Sequence, residues 1–203
     1  MSVIDKVVAA VTPPESEEAR QEARSRAHAA AGSGDWLSLV LKHHVQIEAA
    51  FAAVKASRKA AERMQAQKRL GILLTGHSNA EESVLYPALT RAGEKSHAAM
   101  AYTEQAAAKT QMAELEMLAP MSQDYLDKLE HIRGAVAHHV YEEESKWFLE
   151  LKNQIPEADQ AKLTERYQEE FERYVGEDAP VDGAVPLAPS NRPHTSAPSH
   201  RHS

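Results

Sequence analysis

The chain reads as an all-α protein, an up-down-up-down four-helix bundle with extra helices at both ends, and three observations predict it. Ala, Glu, Gln, Lys, Arg, Leu and Met recur throughout a sequence with 8 glycines and 5% aromatic residues, a composition of strong helix formers. Apolar residues repeat at three- and four-residue spacing over long stretches, and no run alternates Val, Ile, Thr and aromatics as a strand would. Gly and Pro fall at a few positions that punctuate those stretches, so the predicted connections are short.

Taken in order, the chain opens with a short amphipathic helix to Val11, broken at Pro13-Pro14, and a charged helix from Glu15 to about Ala31, ended by Gly32-Ser33-Gly34. Asp35 caps the first bundle helix, where Trp36, Val40, His44, Ile47 and Phe51 share a face up to about Ala56. After a turn at Ser57-Arg58, a second helix carries Met64, Leu70, Leu73, Leu74, His77, Glu81, Val84 and Leu85 and closes near Thr90 to Gly93. Gly71 and Gly76 weaken that helix, which predicts close packing at both. The third helix runs from about Lys95 to Leu118, with Ala98, Ala101, Gln105, Ala108, Met112 and Leu115 on its inner stripe. Ser122 caps a fourth, which passes Leu126, Leu129, Ile132, Val136, His139, Glu143, Phe148 and Leu151 before Pro156. Beyond it, Leu163, Tyr167, Phe171 and Tyr174 form the stripe of a helix expected to pack across the outside of the bundle. From Glu177 the composition shifts to Pro, Ser, Ala, Gly and His, which buries too little apolar area to fold, so a disordered C-terminal tail is expected. The expected divisions are an N-terminal extension 1–34, a bundle 35–152, a C-terminal helix 153–176 and a tail 177–203.

Composition also narrows function. The formal charge of −7 argues against a nucleic-acid partner, since phosphate is met by a basic face. No apolar run approaches the roughly 20 residues that span a bilayer, and MSVIDKVVAAV is too short and too acidic for a signal peptide, so a cytoplasmic protein is expected. Without cysteine, any metal must be held by His, carboxylates or amides.

Three of the 11 histidines share one spacing: His44-Val-Gln-Ile-Glu48, His77-Ser-Asn-Ala-Glu81 and His139-Val-Tyr-Glu-Glu143, each on a different helix. Residues four apart on a helix differ by about 40° in azimuth, so each pair projects from one face. For His77 and His139 that face is apolar, which places the pairs inward. A buried carboxylate and imidazole need a strong partner, and several pairs on facing helices point to a shared cation. One such pair alone is more often a surface ion pair. Here an internal echo argues otherwise: His77-x-x-x-Glu81-Glu82-Ser-Val-Leu-Tyr matches His139-x-x-x-Glu143-Glu144-Ser-Lys-Trp-Phe. Imidazole with carboxylate and no thiolate suits Fe, Mn or Zn.

At these residues the sequence resembles the hemerythrin-like (HHE cation-binding) family, over about Asp35 to Lys152 and including the Leu85-Tyr86-Pro87 ending of the second helix. The resemblance implies a di-iron centre with His44, His77 and His139 as ligands and Glu81 and Glu143 as bridges. The third helix departs from the pattern, with Glu104-Gln105 where the family usually shows Glu-His. Gln105 is then a weak ligand, and the second metal position is looser, open to solvent or empty. Glu48 is the candidate to make up the deficit, with Glu104 off the inward stripe. His43 and His138 are expected at the rim or in support, and Glu144 is a ligand candidate because some hemerythrins use a carboxylate five residues after that histidine. Tyr86, Tyr102, Tyr141, Trp36 and Trp147 read as packing residues.

The resemblance implies binding of O2 or a related diatomic or peroxide ligand, in sensing, storage or stress defence. Two alternatives stay open: a peroxide- or nitric-oxide-decomposing enzyme at the same centre, and a metal-free helical interaction module.

Overall fold

The computed structural model describes residues 15–176, so the helix expected before Pro13 and the tail expected from Glu177 lie outside the described residues. Among the described residues the structure is helical, with no strand. Helix α1 (Glu17–Ala30) is started by Ser16, whose hydroxyl accepts from the Ala19 amide, with Glu17 and Glu18 favourably placed at the positive end of its dipole. Asp35 caps α2 (Trp36–Ala56) by accepting from the Ser38 amide. Helix α3 (Ala60–Ala80) follows a short turn and continues through a π-helical turn, Glu81–Leu85, into α4 (Tyr86–Arg91). Helix α5 (Lys95–Glu116) comes next, then α6 (Gln123–Glu142), capped by Ser122. A second π-helical turn, Glu143–Trp147, leads into α7 (Phe148–Gln154), and Pro156 precedes α8 (Glu157–Val175).

The two π turns fall on the two halves of the internal echo. At the first there is a local cause. Pro87 has no N–H for the ordinary helical bond, and the Tyr86 N–H instead reaches back to the Glu81 carbonyl. The second turn contains no proline, yet the Phe148 N–H reaches Glu143 in the same way. Its widened turn brings the successive carboxylates of Glu143 and Glu144 inside together, at 0% and 2% exposure.

Packing places a polar layer between two apolar clusters. One contains Leu41, Val84, Ala101, Trp147 and Phe148; the other contains Ile47, Leu70, Leu115 and Ile132. Each bundle helix therefore passes from one cluster to the other across one polar step: His44 on α2, His77 and Glu81 on α3 and its π turn, Gln105 on α5, His139 and Glu143 on α6 and its π turn. Helix α8 does more than cover the bundle, because Tyr167 is fully buried and reaches this layer. Its approach is permitted by Gly76, where a Cβ would collide with the Val175 side chain and lie 3.4 Å from the Phe171 carbonyl. Gly71, expected to be closely packed as well, has nothing within 4 Å of a Cβ position. Met64 and Tyr174 are exposed rather than inward. No described helix is long and apolar enough to cross a membrane.

Candidate metal centre

The helical register delivers the polar side chains to one point. His44, His77, Glu81 and Glu143, all buried, offer ligand atoms that lie within 4.8 Å of one another. His77 Nε2 is 3.3 Å from Glu81 Oε2, His44 Nε2 is 3.3 Å from Glu143 Oε2, and His139 Nε2 is 3.2 Å from Glu143 Oε1. His44 Nε2, Glu81 Oε1 and Glu143 Oε2 are buried without an aligned hydrogen-bond partner, and so is Gln105 Oε1. Orphaned buried polar atoms cost about 1–3 kcal/mol each, more when charged, so several converging on one point need a common explanation. A donor set of imidazole nitrogens and carboxylate oxygens fits a first-row cation.

Each imidazole is fixed at its other nitrogen. His44 Nδ1–H donates to Glu144 Oε1 at 2.9 Å, and His139 Nδ1–H donates to Glu104 Oε2 at 2.8 Å. His77 Nδ1 is 3.2 Å from the Tyr167 hydroxyl. With a carboxylate able only to accept, the Nδ1 of His44 and His139 must carry the proton, which turns Nε2 toward the centre.

Tyr86 sits in the midst of the polar layer. Its hydroxyl is 3.2 Å from Glu81 Oε2, 2.9 Å from Glu143 Oε1 and 3.0 Å from His139 Nε2, and it accepts a 2.6 Å hydrogen bond from the Gln105 amide. The same amide donates to Glu81 Oε2 at 2.6 Å. Tyr86, read from the sequence as packing, thus touches two carboxylates and an imidazole. Its place directly before Pro87 at the end of the π turn was the available signal.

Glu48 does not join these residues. It lies one turn beyond His44 on the side of α1, where Arg24 grips it with bonds of 3.0 and 2.7 Å. Glu144 also stays outside the cluster, paired with His44 and Arg24. His43 is buried, stacked on Phe171 at 3.6 Å between ring centres and 2.9 Å from the Tyr167 hydroxyl. His138 pairs with Glu15 at the edge. A second grouping, Glu94, His97 and Glu150, is only half-buried, and the Lys146 ammonium 3.4 Å from His97 Nε2 already brings positive charge there.

Electrostatics divide the cluster into protonated and unprotonated members. Burial disfavours the His139 cation, but the Glu143 charge and the Glu104 hydrogen bond outweigh it and lift its pKa to about 10. For His44 burial is likewise overcome, by contacts with Glu143, Glu144 and Glu81, and its pKa stands well above the ordinary value. Burial and the neighbouring His44 cation push His77 well below that value. Burial, with the Glu143 charge, raises Glu81 to about 7. Burial opposes the ionisation of Glu143 too, but His139 and His44 on either side hold its pKa below the usual carboxylate range. Two imidazolium groups thus balance the buried carboxylates.

A cleft of about 1490 Å³ is lined by Leu74, Ser78, Ala108, Met112 and Val136, and its walls include His77, Gln105 and His139. His44, Glu81 and Glu143 do not line it.

The profile of the hemerythrin HHE cation binding domain matches residues 35–151. A DNA nickase of Nostoc sp. is 29% identical to the chain over 98 residues, 48% of this chain and 27% of that protein, so the chain spans about a quarter of that relative's length. No solved structure matches.

Proposed function

The chain belongs to the hemerythrin HHE cation-binding domain family, and from that premise we propose that it holds a non-haem metal centre, di-iron, that binds O2 or a related small ligand in sensing, storage or stress defence. The convergence of the unpartnered His44 Nε2, Glu81 Oε1 and Glu143 Oε2 between two apolar clusters carries the reading. His44, His77, Glu81 and Glu143 would hold one ion, and His139, Gln105 and the remaining carboxylate oxygens the other, beside the Tyr86 hydroxyl. Manganese or zinc suits the same donors. An iron centre would supply a reducible Lewis acid for a small ligand, whereas zinc would supply a Lewis acid alone. The chain's own residues orient the imidazoles, exclude water through the two apolar clusters, and admit the ligand along the cleft to Gln105. Glu48, on this reading, is not a ligand.

The cleft and the amide favour one rival. An ion held partly by Gln105 at the wall of the cleft is suited to turning over peroxide or nitric oxide rather than storing O2. Buried polar atoms without partners speak against a metal-free interaction module. DNA nicking is the named activity of the Nostoc protein, and the net charge of −7 favours a small ligand over DNA for this chain. A cytoplasmic setting, where iron is kept reduced, suits the proposal.

The test is to purify the full chain without chelators, quantify bound metal, reduce it anaerobically and admit O2. A visible absorption change that reverses on degassing supports carriage or sensing, and sustained consumption of added peroxide supports the enzyme. Absence of stoichiometric iron, manganese or zinc, with no uptake of added Fe2+, refutes the metal centre.

A further inference from the structure

One of the three imidazoles at the centre is held by a residue outside the 35–151 family match, and a second is held through a carboxylate that such a residue grips. On one side the Tyr167 hydroxyl, from α8, lies 3.2 Å from His77 Nδ1 and 2.9 Å from His43 Nδ1. A phenol has one proton to give, so at most one of these imidazoles accepts from it and at least one donates to it. Held at Nδ1 beside the Tyr167 hydroxyl, His77 turns its Nε2 toward the cluster, 3.3 Å from Glu81 Oε2. On the other side Arg24 Nε, from α1, lies 3.3 and 3.2 Å from the two oxygens of Glu144, which accepts from His44 Nδ1.

These contacts are anchored. Helix α8 is keyed in place by the Gly76 approach and by the stacking of Phe171 on His43, so the Tyr167 hydroxyl moves only if the helix moves. Arg24 is braced by Glu48 as well as Glu144.

We propose that the appended helices are working parts of the metal centre: Tyr167 and Arg24 are positioning residues that fix His77 and His44 as Nε2 ligands, and cation binding in turn tightens α1 and α8 onto the bundle. This inference rests on the metal-centre reading and deepens it. Outer partners of ligating histidines set ring orientation and basicity, and their loss weakens metal binding about 10- to 100-fold. The reverse coupling follows because linkage between two equilibria is reciprocal.

The experiment uses the full chain and Co2+ as the probe, with affinity measured by chelator competition and d–d absorption recorded alongside. Tyr167→Phe keeps the stacking and removes the hydroxyl, and Arg24→Gln removes the guanidinium; Tyr174→Phe, at an exposed position on the same helix, is the control. Both test variants should bind Co2+ about 10- to 100-fold more weakly with an altered spectrum, and the control should match the wild type. Hydrogen exchange over Glu157–Val175 should slow when Co2+ is added to the wild type. Wild-type protein that takes up no metal would sink the metal-centre reading itself. Wild-type binding with unchanged affinity in both variants, or no change of exchange in α8, would overturn this inference alone. The exchange comparison needs only the wild type, so it decides the matter even if a variant fails to fold.

Discussion

Replacing His77 with alanine separates the fold from the metal centre, because the structure gives His77 replaceable roles in one and not in the other. The side chain is 3% exposed, but neither of its partners is orphaned by its removal. The Tyr167 hydroxyl keeps His43 at 2.9 Å, and Glu81 Oε2 keeps Gln105 at 2.6 Å and Tyr86 at 3.2 Å. The metal-free protein therefore loses packing and gains a small polar cavity, about 2 kcal/mol, at the low end of large-to-small core substitutions. For a chain of this size that lowers Tm by roughly 4–8 °C. The loaded protein loses one of four clustered donors. At a cation concentration about 1,000 times Kd, binding stabilises the wild type by about 4 kcal/mol, a rise in Tm of roughly 8–16 °C. His77→Ala should fold, melt several degrees lower without metal, and gain little from added Fe2+ or Zn2+. Differential scanning calorimetry with and without metal, paired with metal quantification, measures both terms. A variant whose Tm rises on metal addition as much as the wild type's would refute the assignment of His77 to the centre.

Protonation supplies a second expectation: with His139 raised to about 10, His44 raised well above 6.5 and Glu81 raised to about 7, a cation must displace about two to three protons at pH 7, so apparent affinity rises with pH. Calorimetry in buffers of different ionisation enthalpy reads this number, and binding without proton release would contradict it. The sign for the metal-free protein is opposite. A folded-state pKa raised to about 10 gives His139 a stabilising contribution that is complete below about pH 6.5 and lost as pH rises through 10, whereas His43, lowered to about 3, contributes above about 6.5 and loses its contribution as pH falls. Denaturant midpoints of the metal-free protein should therefore peak near neutral pH. At Gly76 an added methyl meets the Val175 side chain, so Gly76→Ala should cost about 1–3 kcal/mol, while Gly71→Ala, with open space, should stabilise by about 0.5–1 kcal/mol; equal effects in thermal melts would show that α8 is not keyed there. Glu48→Ala breaks a half-exposed pair with Arg24 and should lower stability by at most about 1 kcal/mol with bound metal per chain unchanged; loss of metal stoichiometry would return Glu48 to the ligand set.

Much of this arrangement is local and so was legible in the sequence. A repeat near 3.6 residues marks the helices, Asp35 and Ser122 mark two of their starts, and the four-residue spacing puts His77 with Glu81 and His139 with Glu143 on inward faces. Gln105 on the third helix's inner stripe is buried at the polar layer, where it donates to Glu81 and Tyr86. The same spacing overreached for His44 and Glu48, since a residue one turn on faces whichever helix lies alongside, and here that helix is α1.

What the sequence by itself determined is an all-α chain of the hemerythrin family, with His and Glu pairs on its inner faces, because helical periodicity is written in neighbours three and four residues apart. Only the tertiary structure decided which nitrogen of each imidazole faces the centre. That choice belongs to Glu104, Glu144 and Tyr167, which lie 35, 100 and 90 residues from the histidines they hold. Tertiary packing also carried the Tyr167 hydroxyl into the site along a face that Gly76 leaves open. Contacts across that much chain leave no periodic trace, so their physical cause is visible only once the helices are packed.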